Sequence, residues 1–394
     1  APLDLPRLAG RVLPPLLYAD DMALLATTAR GLQAQLQLLE AFCAERGLTV
    51  NLVKTKVMLL AGEDDEDEAL RRTRAARLTY AGGSVEAVSQ FKYLGVVFHC
   101  CHPIGESAAR ARASVARFAV AMFDGRCAAL GLEAARLLLI LYQQMVDSTL
   151  SYAAAVWAPG LALDAARRPV VSGGSGSVSC PSEAEDQHHS FLRRLTGLPT
   201  RTPLPTVLAE AGQPPLYVSW LASSARLWGS LLAAPEGSLM RTVLDASLEM
   251  AAEWASVPAQ RLPMAHLPWA LQLQRAMAAT GVEFDPQQRA PLVQAAVRQA
   301  ALQRHLQRVR EAAQQPGASR LRHYFVAVRP GCLEVDGYTL PDYVTEIRER
   351  HRRIALAEIR SGVHWGREER ERLLGRRRRP PSERECVHCA ARGL

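Results

Sequence analysis

Lysine is nearly absent from this chain: of 47 basic residues only Lys54, Lys56 and Lys92 are lysines, and arginine supplies the rest. Long apolar runs are missing as well. No stretch of about 18 uncharged apolar residues occurs, so no membrane span is expected. The N-terminus lacks the basic-then-apolar pattern of a secretory signal. Eight cysteines scattered over 394 residues do not make a disulfide framework, and a reduced intracellular setting follows. Apolar content is not short: at 48% the chain can bury real cores, and its length implies two or three domains. It begins without Met and enters a strand-like pattern within a dozen residues, which reads as a fragment or a partial gene model.

The few lysines cluster within about forty residues of one another, in a chain whose composition otherwise favours Arg, Ala, Leu and Pro. A compact ammonium there suits a task that a planar guanidinium would not. The net charge of +8 is also uneven. Residues 343–394 hold fourteen arginines against eight acidic residues, a balance that suits a polyanion such as nucleic acid, with a solvated basic face as the alternative.

From Arg11 to Thr27 the pattern reads as strand, turn, strand, with Tyr18-Ala19-Asp20-Asp21 at the bend. Leu32, Leu36, Leu39 and Phe42 or Cys43 then recur at helical spacing, and Gly47 stands where a C-cap glycine belongs. Leu48 to Ala61 reads as a strand, and the acidic run Glu63 to Glu68 as a solvated loop. Two short strand regions, Leu78 to Val88 and Phe91 to Phe98, complete a mixed α/β unit. Helical stripes follow over 105–126 and 132–151, then a Gly/Ser/Pro-rich linker over 167–186. Beyond it, Trp220, Leu221, Leu227, Trp228 and Leu231 form one stripe around Ser224, and Leu292, Val293, Ala296, Val297 and Ala300 another. Both are expected to be core faces.

Asp20 and Asp21 lie in the apolar stretch "LLYADDMALLA". Two carboxylates at the tip of a buried hairpin make a hard oxygen site suited to Mg²⁺, which binds through one or two carboxylates plus substrate phosphates. An Asp-Asp pair that merely marks a polar turn is the plainer alternative. Side chains alternate faces along a strand, so one aspartate is expected to be the direct ligand and the other supporting, unless the turn twists them together.

Order along the chain favours the first reading. "YADD" is followed by the helix, by "GLTVNLVKTK" (Gly47 to Lys56) and by "FKYLGVVF" (Phe91 to Phe98). The series resembles the palm of reverse transcriptases, most closely those of non-LTR (LINE-type) retrotransposons. The resemblance implies that Asp20 and Asp21 are catalytic, holding Mg²⁺ for two-metal nucleotidyl transfer. It implies that Lys54 or Lys56 protonates the departing pyrophosphate. Lys92, Tyr93, Leu94 and Gly95 correspond to the primer grip. RNA template, DNA primer and dNTP are the implied partners, with no membrane, and the implied location is nuclear.

The implied fold is α+β: a partial palm over 1–100, a helical thumb over 101–165, a flexible linker over 166–187, a helical connector over 188–330 and a basic region over 331–394. In that last region Arg376, Arg377, Arg378 and Arg379 would meet nucleic acid. Cys386 and Cys389 match the first pair of a zinc knuckle but fall two ligands short of a tetrahedral Zn²⁺ site, so free thiols are the expectation. Cys100, Cys101 and His102 also cluster, and ordinary burial is the expectation there. A palm needs a further aspartate on an earlier strand, and Asp4, in a Pro-broken stretch, is not read as a substitute. The chain is therefore expected to be inactive alone. A non-catalytic nucleic-acid-binding remnant of a retroelement is the alternative, and a helical interaction protein with an accidental YADD a third.

Overall fold

The computed structural model describes residues 3–60, 65–130, 134–170, 182–255, 267–334 and 337–363. The quartet Arg376 to Arg379 and the pair Cys386 and Cys389 lie outside them. The described chain is a mixture of helices and small sheets, an α+β fold. It divides into two units, one formed by 1–111, 153–163 and 220–297, the other by 112–152, 164–219 and 298–394.

In the first unit every described sheet has two strands. Strands β1 (Arg7–Leu8) and β2 (Arg11–Val12) pair antiparallel, as do β3 (Leu16–Tyr18) and β4 (Asp21–Ala23). Helix α1 (Ala29–Arg46) follows, and both of its ends are written in the sequence. Thr28 caps it by accepting from the Gly31 amide, and Gly47 closes it in the left-handed conformation at φ 64. Cys43 rather than Phe42 takes the inward position, Phe42 being exposed.

The strand expected over 48–61 shrinks to β5 (Lys56–Val57). The reason is local: Asn51 accepts the Lys54 amide through both its side-chain Oδ1 and its own carbonyl, which closes a turn over residues 51–54. The acidic run is not all loop, since Glu66, Asp67 and Glu68 form the first turn of α2 (Glu66–Ala75), where carboxylates complement the helix dipole. Strands β6 (Thr79–Tyr80) and β7 (Gly83–Ser84) form a hairpin. Then β8 (Glu86–Ala87) runs parallel to β5, and β9 (Gln90–Tyr93) turns back into β10 (Val96–His99). Leu36, Leu78, Tyr80 and Val85 make the buried core of this region, with Leu24, Leu32, Leu39, Val50, Leu52, Val57 and Ala76 packed against it.

Helices α3 (Ile104–Ala129) and α4 (Ala135–Tyr142) match the expected helical stretch, α4 continuing as a π-helical turn over Gln143–Asp147. Most of the expected linker, residues 171–181, lies outside the described residues; its acidic end belongs to a helix running Glu183–Thr196 that Ser182 caps. The Trp220 stripe is a core face, with Trp220, Leu221, Ser224 and Trp228 all buried. Trp228 stacks on Trp269 and donates its indole N–H to the Ala290 carbonyl at 2.8 Å. The second stripe is a core face only in part, through buried Val297. Val293 and Ala296 are exposed, and the inward face of the helix Gln294–Gln314 runs through Val297, Ala301, Leu302, His305, Leu306 and Val309. The expected stripe began before the first helical residue and shares only Val297 with the inward face.

The second unit buries Glu210 and His188 in hydrogen-bond networks. Glu210, with no exposed surface, accepts from Tyr324 Oη at 2.5 Å, from Tyr343 Oη and from Arg360 Nε at 3.1 Å. His188 lies between Tyr142 Oη at 2.6 Å from Nδ1 and the Pro214 carbonyl at 3.1 Å from Nε2. A carbonyl only accepts, so the proton sits on Nε2 and Tyr142 donates to Nδ1. Burial, reinforced by neighbouring His189, pulls His188 down to about 4, and burial with Arg308 pulls His305 to about 3. An unfolded histidine titrates near 6.5, so between pH 6.5 and 4 the unfolded chain takes up protons that the folded unit refuses. Stability is therefore full above pH 6.5 and falls as pH drops, by up to about 1.4 kcal/mol per pH unit for each such histidine. Urea denaturation at pH 7 and pH 5 should show this loss, and His188→Gln should reduce it, leaving the share of His305.

Candidate polymerase-type site

The apolar stretch around the two aspartates was expected to be buried, and it is so only in part: Leu16 and Ala23 to Ala26 are half-buried. Leu17 and Tyr18 are each about two-thirds exposed, at 67% and 65%, and Met22 is exposed at 41%. A two-stranded hairpin on its own cannot bury both of its faces. Asp20 occupies the second turn position and Asp21 opens β4, directly across from Tyr18, while Ala19 takes a left-handed φ of 52. The pair thus straddles the junction of turn and strand, and strict alternation along one strand does not separate them. Both carboxylates are exposed, and neither has a hydrogen-bond or ion-pair partner among the described residues. Free carboxylate lone pairs at a hairpin tip are the hard donors that Mg²⁺ requires.

Asp4 has a different job. Its Oδ2 accepts from the Thr28 hydroxyl at 2.5 Å, supporting the cap of α1. The two lysines on the 51–57 segment are also distinct. Lys56 Nζ is 2.5 Å from Glu86 Oε2 across the β5–β8 pair, whereas Lys54 is exposed and its ammonium has no partner among the described residues. Glu86 carried no sequence signal, because only the parallel pairing of two-residue strands brings it to Lys56. Leu24, Leu52 and Val57 tie the aspartate hairpin and the lysine segment to one core.

Lys92 is exposed on β9, with Tyr93 half-buried at the end of that strand. Leu94 and Gly95 form the two-residue turn, both left-handed at φ 46 and 81, the arrangement that matches the twist of a tight hairpin. Glycine adopts it freely and leucine does not, so Leu94 holds a strained conformation at the tip.

Beyond the hairpin, Cys100 is buried and its thiol is pushed up to about 11, chiefly by burial. The expectation of burial fails for His102, which is exposed and stands beside His99 and Glu66. Burial and the neighbouring His102 hold His99 below the usual histidine range, against the pull of Glu66. The spacing of His99 and His102 was visible in the sequence, but Glu66, 33 residues away, was hidden by the expectation of a loop.

Residues 12–98 match the family model described as reverse transcriptase (RNA-dependent DNA polymerase). The match takes in the YADD hairpin, the lysine segment and the Tyr-Leu-Gly hairpin together. No curated protein and no solved structure matches the chain. Among the described residues no helix is long and apolar enough to cross a membrane.

The lysine segment should loosen if its turn is removed. Asn51→Ala deletes the side-chain acceptor of the Lys54 amide, worth about 1 kcal/mol, and should speed hydrogen exchange at that amide several-fold while leaving α1 protection unchanged.

Proposed function

We propose that the chain is part of an RNA-directed DNA polymerase of a non-LTR retrotransposon, and that residues 12–98 are the C-terminal half of its palm. The observation that carries this reading is the order of three motifs within the matched span: YADD, the KTK segment and the FKYLG hairpin. Asp20 and Asp21 would hold Mg²⁺, which when bound supplies the positive charge that lowers the cost of attack and departure at the phosphate. Of the two lysines, Lys54 is assigned the proton donation to pyrophosphate, because Lys56 is engaged by Glu86. The Leu94–Gly95 turn would approach the primer backbone, with Lys92 meeting phosphate. The later helices would serve as thumb and connector, and the arginine-rich end as a further nucleic-acid contact.

The exposed Leu17, Tyr18 and Met22 on an unflanked hairpin support a further step: this palm half functions joined to additional strands that supply another carboxylate. Without them, the second reading holds for the chain in isolation, a nucleic-acid binder without polymerase activity.

In the polymerase that contains this segment, Asp20→Ala should reduce Mg²⁺-dependent primer extension on RNA by at least about three orders of magnitude, and undiminished extension would remove the assignment. Lys54→Ala should slow single-turnover incorporation more than Lys56→Ala does. The isolated chain should bind RNA or DNA with steep salt dependence. Replacing Arg376, Arg377, Arg378 and Arg379 by alanine should lower the log–log salt slope by about 3, at roughly 0.7–0.9 per phosphate contact. A slope unchanged by that replacement would refute the role given to the arginines.

A further inference from the structure

Outside the polymerase-type motifs, the end of β10 carries a second constellation. We propose that Glu66, His99 and His102 form a zinc site that pins the first turn of α2 to the end of the β9–β10 hairpin. This goes beyond the polymerase reading and does not rest on it.

One ligand atom from each of the three residues lies within 4.8 Å of the other two. His99 Nε2 stands 3.4 Å from Glu66 Oε2, close to the roughly 3.3 Å between neighbouring donors when a tetrahedral ion sits about 2.0–2.1 Å from each. The His99 and His102 rings approach with centroids 4.2 Å apart. His99 is the fixed member, its side chain only 10% exposed. Glu66 and His102 are exposed, so their side chains have the freedom to close the remaining gap. Two imidazoles and one carboxylate favour zinc over magnesium or calcium, which take oxygen donors. Three protein donors leave the fourth tetrahedral position to water.

The proton inventory makes a specific demand. The Cys101 amide donates to His99 Nδ1 at 3.1 Å, which places the His99 proton on Nε2, facing Glu66. Zinc at Nε2 displaces that proton to solvent, and Nδ1 takes one up in its place. The ring keeps its neutral charge, but Nδ1 becomes a donor and the Cys101 amide turns away. Loading therefore rearranges the bend at 100–102, beside two thiols whose Sγ atoms are 3.3 Å apart and which are not part of the trio.

The test uses the full chain carrying Cys386→Ser and Cys389→Ser, which removes the C-terminal thiols as a zinc source. Titrated with Zn²⁺ alone against a chromogenic chelator, this protein should bind one equivalent. His102→Ala, at an exposed position, should weaken binding by more than about 100-fold, beyond the loss that indirect partners of a zinc site produce. The isosteric Glu66→Gln should weaken it in the same direction with the circular dichroism spectrum unchanged. X-ray absorption should report nitrogen and oxygen donors without sulfur, and the Cys101 amide resonance should shift on loading. Equal binding by His102→Ala, no binding by the Cys386→Ser, Cys389→Ser protein, or a zinc–sulfur signal that assigns the ion to Cys100 and Cys101 would each overturn the proposal.

Discussion

A small apolar core around Leu36, Leu78, Tyr80 and Val85 is what the motif-bearing segments of the first unit depend on. Three segments with little regular structure of their own are fixed by it. The aspartate hairpin reaches it through Leu24, the lysine segment through Leu52 and Val57, and the strands that lead to the second hairpin through Val85. Two-residue strands cannot hold a register alone; burial of those few aliphatic side chains supplies the constraint that the ladders lack. The polar residues between the anchors are left free to face outward, as Asp20, Asp21 and Lys54 do.

Buried carboxylates of the second unit and the exposed aspartates of the YADD hairpin are handled in opposite ways. Glu210 is fully buried and takes hydrogen bonds from two tyrosines and an arginine. Glu185 is buried too, and although burial raises its pKa, His189, His188 and the Tyr217 amide outweigh that and hold it below the usual carboxylate range. A buried charge persists only with such partners. Asp20 and Asp21 carry no such support and need none while hydrated, which leaves their lone pairs available to a cation. The KTK segment repeats the distinction: one lysine is committed to a carboxylate and the other is not.

Much of this was legible in the sequence, and the failures share a cause. Helix α1 could be read from Thr28 to Gly47 because capping and apolar spacing are local properties. The two hairpins could be read because turn chemistry is local. The long strand over 48–61 was misread because β-propensity lost to one asparagine closing a turn. The acidic run was misread because like charges repel in a loop but are favoured in the first turn of a helix. Glu86 and Glu66 were invisible as partners of Lys56 and His99, since each is brought into place only by tertiary packing. The exposure of Leu17, Tyr18 and Met22 was equally hidden: an apolar pattern says what a strand would bury, not whether anything is there to bury it.

The five two-stranded sheets each leave backbone donors and acceptors along their outer edges. Next to β3 and β4 those edges are bordered by uncovered apolar side chains, with no proline or lysine on either strand to discourage pairing. An uncovered edge of this kind is where one copy of the chain would recruit another, so the hairpin that carries Asp20 and Asp21 also bears on solubility.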